Sequence, residues 1–214
     1  MTFRRGLPAL LALGFLVAAC DAATSPPPAG NTATHAPSPG TPAQTYTARD
    51  HDLCTMTDLS VLQPTLGLTV RTTRRERPYN GAGEACVFEL NTPSGHPATL
   101  RIEAAAGATE GEAEQIYKAQ VTGRMPVEGA VAGIGERAEA FALETESGFK
   151  YAEYKIHARE DNLVIEVWLA VGGDTLPPKS HTGGIVRHIS DSTYRALYFL
   201  WRTKNGMTLA GAIH

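Results

Sequence analysis

Apolar and polar positions alternate with period two through ACVFEL (85–90) and PATLRIEAA (97–105). The turn-forming NTPSGH between them predicts a β-hairpin with Leu100, Ile102 and Ala104 on its inner face. Before it, LCTMTDLSVLQPTLGL (53–68) carries apolar residues at helical spacing behind Thr55 or Thr57 as capping residue, which predicts a short helix ending near Pro64 and Gly67. After it, Ala113, Ile116, Tyr117 and Val121 follow an acidic first turn at one-face spacing and predict a helix over 109–121. Three further alternating stretches, 136–144, 149–158 and 162–172, are separated by the turn sequences TESG and REDN. The last, NLVIEVWLAVG, is apolar on both faces and so belongs at the centre of a sheet. A long C-terminal helix over 182–204 would cover that sheet with a stripe of Ile185, Ile189, Ala196 and Leu200. The order α-β-β-α-β-β-β-α implies a single α+β domain over 49–214. Its mostly antiparallel sheet of about five strands is covered by a middle helix and the C-terminal helix.

The front of the chain follows a different pattern. Arg4 and Arg5 precede a 13-residue apolar run, Leu7 to Ala19, which is too short to span a bilayer and has the form of a signal peptide over 1–19. Val17, Ala18, Ala19 and Cys20 resemble the lipobox of bacterial lipoproteins, with cleavage before Cys20 and a diacylglycerol on its sulfur. Residues 20–48 are rich in Pro, Thr and Ala with almost no charge, a composition that cannot bury enough apolar surface to order itself and so reads as a tether. Its root-mean-square reach would be about 30 Å as a flexible chain. An exported protein with three cysteines and one of them lipidated keeps two, Cys54 and Cys86, which can form one disulfide. A metal site is disfavoured by their spacing, since 31 residues lie between them and no C-x-x-C occurs.

Charge narrows the function. The whole chain carries −3, and without Arg4 and Arg5 it has 17 basic against 22 acidic residues, or −5, a poor balance for nucleic acid. The basic cluster Arg71, Arg74, Arg75 and Arg77 in RTTRRERPYNGAG is expected in a solvated loop, with anionic headgroups or an acidic polymer as the alternative contact. No cofactor or metal is implied, and no catalytic residue stands out. Ser180, His181 and Asp191 have the right types for a hydrolase, but they fall on a helix without a nucleophile elbow. His181 and His188 lie about two helical turns apart, too far to chelate one ion well. Gly133 and Gly135 precede a strand and open no helix, so GIG reads as a turn into the sheet and not a phosphate cradle. The aromatic set Tyr151, Tyr154, Trp168, Tyr194, Tyr198, Phe199 and Trp201 gathers on the last two strands and last helix, as a ligand or partner surface or as core.

The cysteine in DLCTMTDLSVL, the strand opening Cys86-Val87-Phe88, and Gly133-Ile134-Gly135-Glu136-Arg137-Ala138 together resemble the secreted lipoproteins of the DUF3558 family. Glu136 stands where that family's Gly-x-Gly-Asp-x-Ala turn usually has Asp. The resemblance covers most of residues 50–204. At a coarser level the chain resembles extracytoplasmic sensor domains and PsbP-like lipoproteins of actinobacteria, which bind and do not catalyse. The resemblance implies no common reaction and carries no catalytic residue over. The expected protein is a cell-membrane lipoprotein, anchored through Cys20 on the extracytoplasmic side. Its domain would serve as a ligand-binding, sensor-like or accessory module for an envelope lipid or protein, with an envelope hydrolase or transferase as the alternative.

Overall fold

The computed structural model describes residues 46–47, 52–80, 82–121, 125–146 and 149–204, without the side chains of 199 and 201–204. All of these belong to the unit Thr41–His214. The signal peptide, Cys20 and nearly all of the tether lie outside the described residues. The elements run α1 (Leu53–Met56), α2 (Leu62–Leu66), β1 (Thr69–Glu76), β2 (Ala82–Asn91), β3 (Pro97–Ala106), α3 (Glu110–Val121), β4 (Val127–Ala130), β5 (Arg137–Thr145), β6 (Tyr151–Glu160), β7 (Leu163–Gly172) and α4 (Lys179–Lys204). The seven strands form one sheet in the order β1-β2-β3-β7-β6-β5-β4, and every neighbouring pair is antiparallel.

The sheet therefore has two strands more than the alternation predicts. Arg71, Arg74 and Arg75 lie in the edge strand β1 and not in a loop, with Arg77 just beyond its end. Polar side chains on both faces suit an edge, where one side of the strand lacks a partner and charge discourages pairing with another chain. The other added strand, β4, is four residues long and closes the far edge. The first helix is also two: Asp52, not Thr55 or Thr57, caps α1 by accepting from the Cys54 amide at 3.2 Å. α2 ends at Gly67 in the left-handed region with φ 66°, and Pro64 sits inside it. α3 begins as its sequence predicts. The Thr109 hydroxyl accepts from Glu112 N, while the Glu112 carboxylate accepts from Ala108 N at 2.8 Å.

Residue parity decides what each face of the sheet buries. Even positions of β3 and β6 and odd positions of β7, including Leu100, Ile102, Ile156, Val167 and Leu169, pack beneath α4, with Leu53, Leu62 and Phe88 in the same core. β7 lies between β3 and β6, the central place its two apolar faces require. On α4 the buried stripe is Ile185, Val186, Ile189, Ser190, Thr193 and Leu197. Leu200 is 39% exposed, so the stripe drifts off the Ala196–Leu200 line after two turns. The disulfide joins Cys54 of α1 to Cys86 of β2 across a Cα–Cα distance of 5.3 Å, within the range a bridge requires. The chain enters this core earlier than residue 49. Tyr46 is buried, and the Asn162 side chain takes its amide at 2.7 Å and its carbonyl at 3.0 Å.

The opposite face, under α3, is polar. Glu103, Glu166 and His157 stand side by side on β3, β7 and β6, and Arg101, Trp168 and Lys155 form the next rung. Ala105, Ala113, Ile116, Tyr117 and Val164 close over one end. His157 is fully buried, stacks on Tyr117 at 4.1 Å, and has no hydrogen-bond partner on either ring nitrogen among the described residues. Burial, reinforced by the cations Lys155 and Arg137, pushes its pKa down to about 3. The unfolded chain therefore takes up a proton near the ordinary histidine value of 6.5 while the folded one stays neutral. Stability present above pH 6.5 should drain away as pH falls toward 3, at up to about 1.4 kcal/mol per unit, or about 2 kcal/mol by pH 5. Glu166 acts in the opposite direction, because burial raises its pKa. Urea midpoints of wild type and His157→Phe at pH 7.5 and pH 5 isolate the histidine: the wild type should lose more stability than the variant. Equal losses would assign acid sensitivity elsewhere.

Candidate ligand groove along the C-terminal helix

The loop 131–136, between β4 and β5, rises beside α4 and leaves a groove. Two glycines give the loop its course: Gly133 has φ 84° and Gly135 φ 61°, both in the left-handed region. At Gly135 a Cβ would also stand 2.5 Å from the Arg159 carbonyl, which accepts the Glu136 amide at 3.0 Å, so glycine is required twice over. The GIG turn into β5 is thus the sheet turn its sequence predicts. Ile134 tucks inward to join the core.

α4 supplies the other wall. Gly183 and Gly184 sit side by side in its first two turns, although each costs a helix about 1 kcal/mol relative to alanine. Their neighbours supply the reason for Gly183: its Cβ would meet the Tyr154 ring at 3.0 Å, so glycine lets the helix settle on that ring. Gly184 is different, because a Cβ there would meet nothing within 4 Å. Gly184 is exposed to solvent, and two adjoining hollows meet at it. One, of about 340 Å³, is bounded by Gly133, Ile134, His188, Asp191 and Arg195; the other, of about 280 Å³, by Val131, Tyr154, Ile156, Lys179 and Ser180. Gly184 and Arg187 line both.

Ion pairs and hydrogen bonds fix the walls. Lys179 reaches Glu128 of β4 at 2.9 Å, His188 reaches Asp58 at 2.9 Å, and Arg195 pairs with Asp191 at 2.9 Å one turn back. Arg187 donates to the Ala132 carbonyl at 2.9 Å, bracing the loop against the helix. The Tyr154 phenol, partly buried, has its pKa raised chiefly by burial, which keeps it a neutral hydrogen-bonding group. Ile134 and Ile156 close the bottom from within the core, almost fully buried, and the apolar surface left open is that of Val131 and the Tyr154 ring, with polar groups at the rim.

The aromatic surface read from the sequence is divided by the sheet. Tyr154 faces α4 and lines the groove. Tyr194 and Tyr198 lie further along α4 and stack on each other at 6.0 Å, packed against the same core. Tyr151 and Trp168 point to the opposite face, where Trp168 Nε1 donates to Glu153 at 3.0 Å and Tyr151 packs on Phe149 at 4.9 Å. The aromatic residues therefore form no single surface, and the side chains of Phe199 and Trp201 lie outside the described residues.

Ser180, His181 and Asp191 are likewise not gathered. Ser180 and Asp191 line different hollows, and the exposed His181 lines neither. Among the described residues no group of three or more His, Cys, Asp or Glu stands close enough to hold a metal ion. No described helix is long and apolar enough to cross a membrane. A third hollow, of about 330 Å³, opens at the β2–β3 turn and the segment after β7. Three of its polar side chains are engaged: Thr92 with Ser94 at 3.1 Å, and Asp174 with His96 at 3.1 Å.

Comparisons with known proteins leave the function open. No protein-family model matches the chain, and no curated protein matches it. Among solved structures, the extracellular domain of PknH from Mycobacterium tuberculosis matches with a TM-score of 0.44 at 9% identity, over 71% of this chain and 99% of that one. A likeness at that level names neither ligand nor activity for this chain.

Proposed function

We propose that this protein is an envelope lipoprotein of the DUF3558 type whose domain binds a ligand in the groove between α4 and the loop 131–136. The observation that carries the binding role is the meeting of two hollows at the exposed Gly184, beside Val131 and the Tyr154 ring. Of the two adjacent glycines, one admits the Tyr154 ring and the other, exposed to solvent, keeps the junction of the two hollows clear of a side chain. The extracytoplasmic placement is supported by the Cys54–Cys86 disulfide, since structural disulfides persist in oxidising compartments, and by the lipobox-like VAAC before the tether. Cys20 would carry the lipid and hold the domain at the cell membrane.

Gly184→Leu tests this reading. Leucine places a side chain at the junction, and it favours the helix by up to about 1 kcal/mol over glycine, so the variant should melt at or above the wild-type temperature. Full-length wild type exposed to a small-molecule envelope extract should gain melting temperature, and Gly184→Leu should gain none. Equal gains in both proteins would place the ligand outside the groove, and no gain in either would remove the binding role.

A further inference from the structure

We infer that the groove recognises the anionic head, phosphate or carboxylate, of a ligand whose apolar part lies against Val131 and the Tyr154 ring, and that Arg187 is the residue that reads it. This rests on the binding role proposed above and adds the chemistry. The other cations of the groove are each matched to a carboxylate, Lys179 to Glu128 and Arg195 to Asp191, and the His188 ring is hydrogen-bonded to Asp58. Arg187 is the exception, since no carboxylate of the described residues lies within ion-pair distance of it. One of its terminal nitrogens is used on the Ala132 carbonyl, which fixes the guanidinium without neutralising it. A guanidinium keeps its charge at any physiological pH and offers five N–H donors, so the remaining donors are available for a two-point contact with an oxyanion.

Position adds to this. Among the described residues, Arg187 is the only charged side chain common to both hollows, and it shares their junction with Gly184. The Tyr154 phenol and the Ser180 hydroxyl line the same hollow as Arg187 and can donate to an anion's remaining oxygens. Val131 and the Tyr154 ring, both half-buried, give the rest of the ligand an apolar wall. Arg187 is a binding residue in this reading, with no chemistry assigned to it.

The test titrates full-length protein, in phosphatidylcholine nanodiscs, with hexyl phosphate, heptanoate, hexanol and inorganic phosphate. Hexyl phosphate or heptanoate should bind wild type more tightly than hexanol. Arg187→Gln should weaken that binding roughly tenfold to hundredfold, the size of a lost charge-assisted bidentate contact, with Arg187→Lys in between. Gly184→Leu should abolish it. Competition by phosphatidylglycerol discs would make a lipid headgroup the source of the anion, and competition only by soluble phosphorylated or carboxylated compounds would make it a free ligand; both support the inference. Hexanol binding as tightly as the anions, unaffected by Arg187→Gln but lost in Gly184→Leu, would overturn the anion inference and leave the groove as a binding site. Anion binding that survives both substitutions would overturn the inference by placing the anion elsewhere. Absence of binding by any probe would overturn it too, and the extract titration above then shows separately whether the binding role falls with it.

Discussion

Arg101→Met should destabilise the domain by about 3–5 kcal/mol, the loss expected when one partner of a buried charged network is removed and the other is left behind. Arg101 lies on β3 on the α3-side face and is only 5% exposed. Its guanidinium pairs with Glu103 at 2.9 Å and with Glu76, donates to the Arg77 carbonyl at 3.0 Å, and lies under the Tyr79 ring at 4.1 Å. Methionine fills much of the same volume, so the loss is one of charge and hydrogen bonds. Glu103 is the group that suffers. It is 1% exposed and has Glu166 directly opposite on β7, an arrangement of like charges that is tolerable only with cations close by. Gln120 at 2.8 Å and the Tyr79 amide at 3.0 Å would still donate to Glu103, but neither brings a full positive charge. Adding Glu103→Met to Arg101→Met should recover a large part of the loss, because the buried charge left unpaired is then gone. Guanidinium unfolding of the two single variants and the double variant measures this. Additive losses would show that the two residues act independently.

Removing the disulfide is the second large effect. Closing a loop between residues 32 apart reduces the freedom of the unfolded chain by an amount worth roughly 3–4 kcal/mol in the chain-entropy treatment. Cys54→Ala with Cys86→Ala should therefore lower the melting temperature by roughly 10 °C for a domain of this size. The loss is also local. α1 is a single turn, too short to be stable alone, and it is held by the bridge, by the buried Leu53 and by Arg75 pairing with Asp52. Hydrogen exchange should accordingly show residues 53–56 losing protection ahead of β3 and β7. If the reduced protein melts within about 2 °C of the oxidised one, the bridge contributes little and α1 is held by its packing.

The sequence pattern serves best where one element has one role. β7 is apolar on both faces and is central; α3 carries Thr109 and Glu112 as its capping pair and starts there. It fails at the edges, since β1 (TVRTTRRE) is polar at all but one position and offers no apolar face, and β4 is too short to show a period. It fails again on the α3-side face, where Arg101, Glu103, Lys155 and His157 sit at the polar positions of alternating strands and read as solvent-facing. The structure buries Arg101 with Glu103, Lys155 with Glu166 and His157 against the Tyr117 ring, which a pattern of single residues does not reveal. The aromatic set divides for a simpler reason. Tyr151 and Tyr154 differ by an odd number of positions in one strand and so must face opposite ways, a parity that strand geometry imposes on the sequence by itself. The groove has a signal as well: two glycines inside the period of a long helix mark a close approach or an open space. What the sequence does not show is that the loop after β4 stands opposite them and that Arg187 bridges the two hollows.

Hydrogen exchange of the full-length protein, with and without a small-molecule envelope extract, tests the binding role most directly. Bound ligand should slow exchange in the segments 131–136, 153–157 and 183–188 together, because these three form the groove, and should leave α3, Glu110–Val121, on the other side of the sheet unchanged. Protection confined to Tyr151, Trp168 and their neighbours on the other face, or no protection anywhere, would contradict a ligand site along α4.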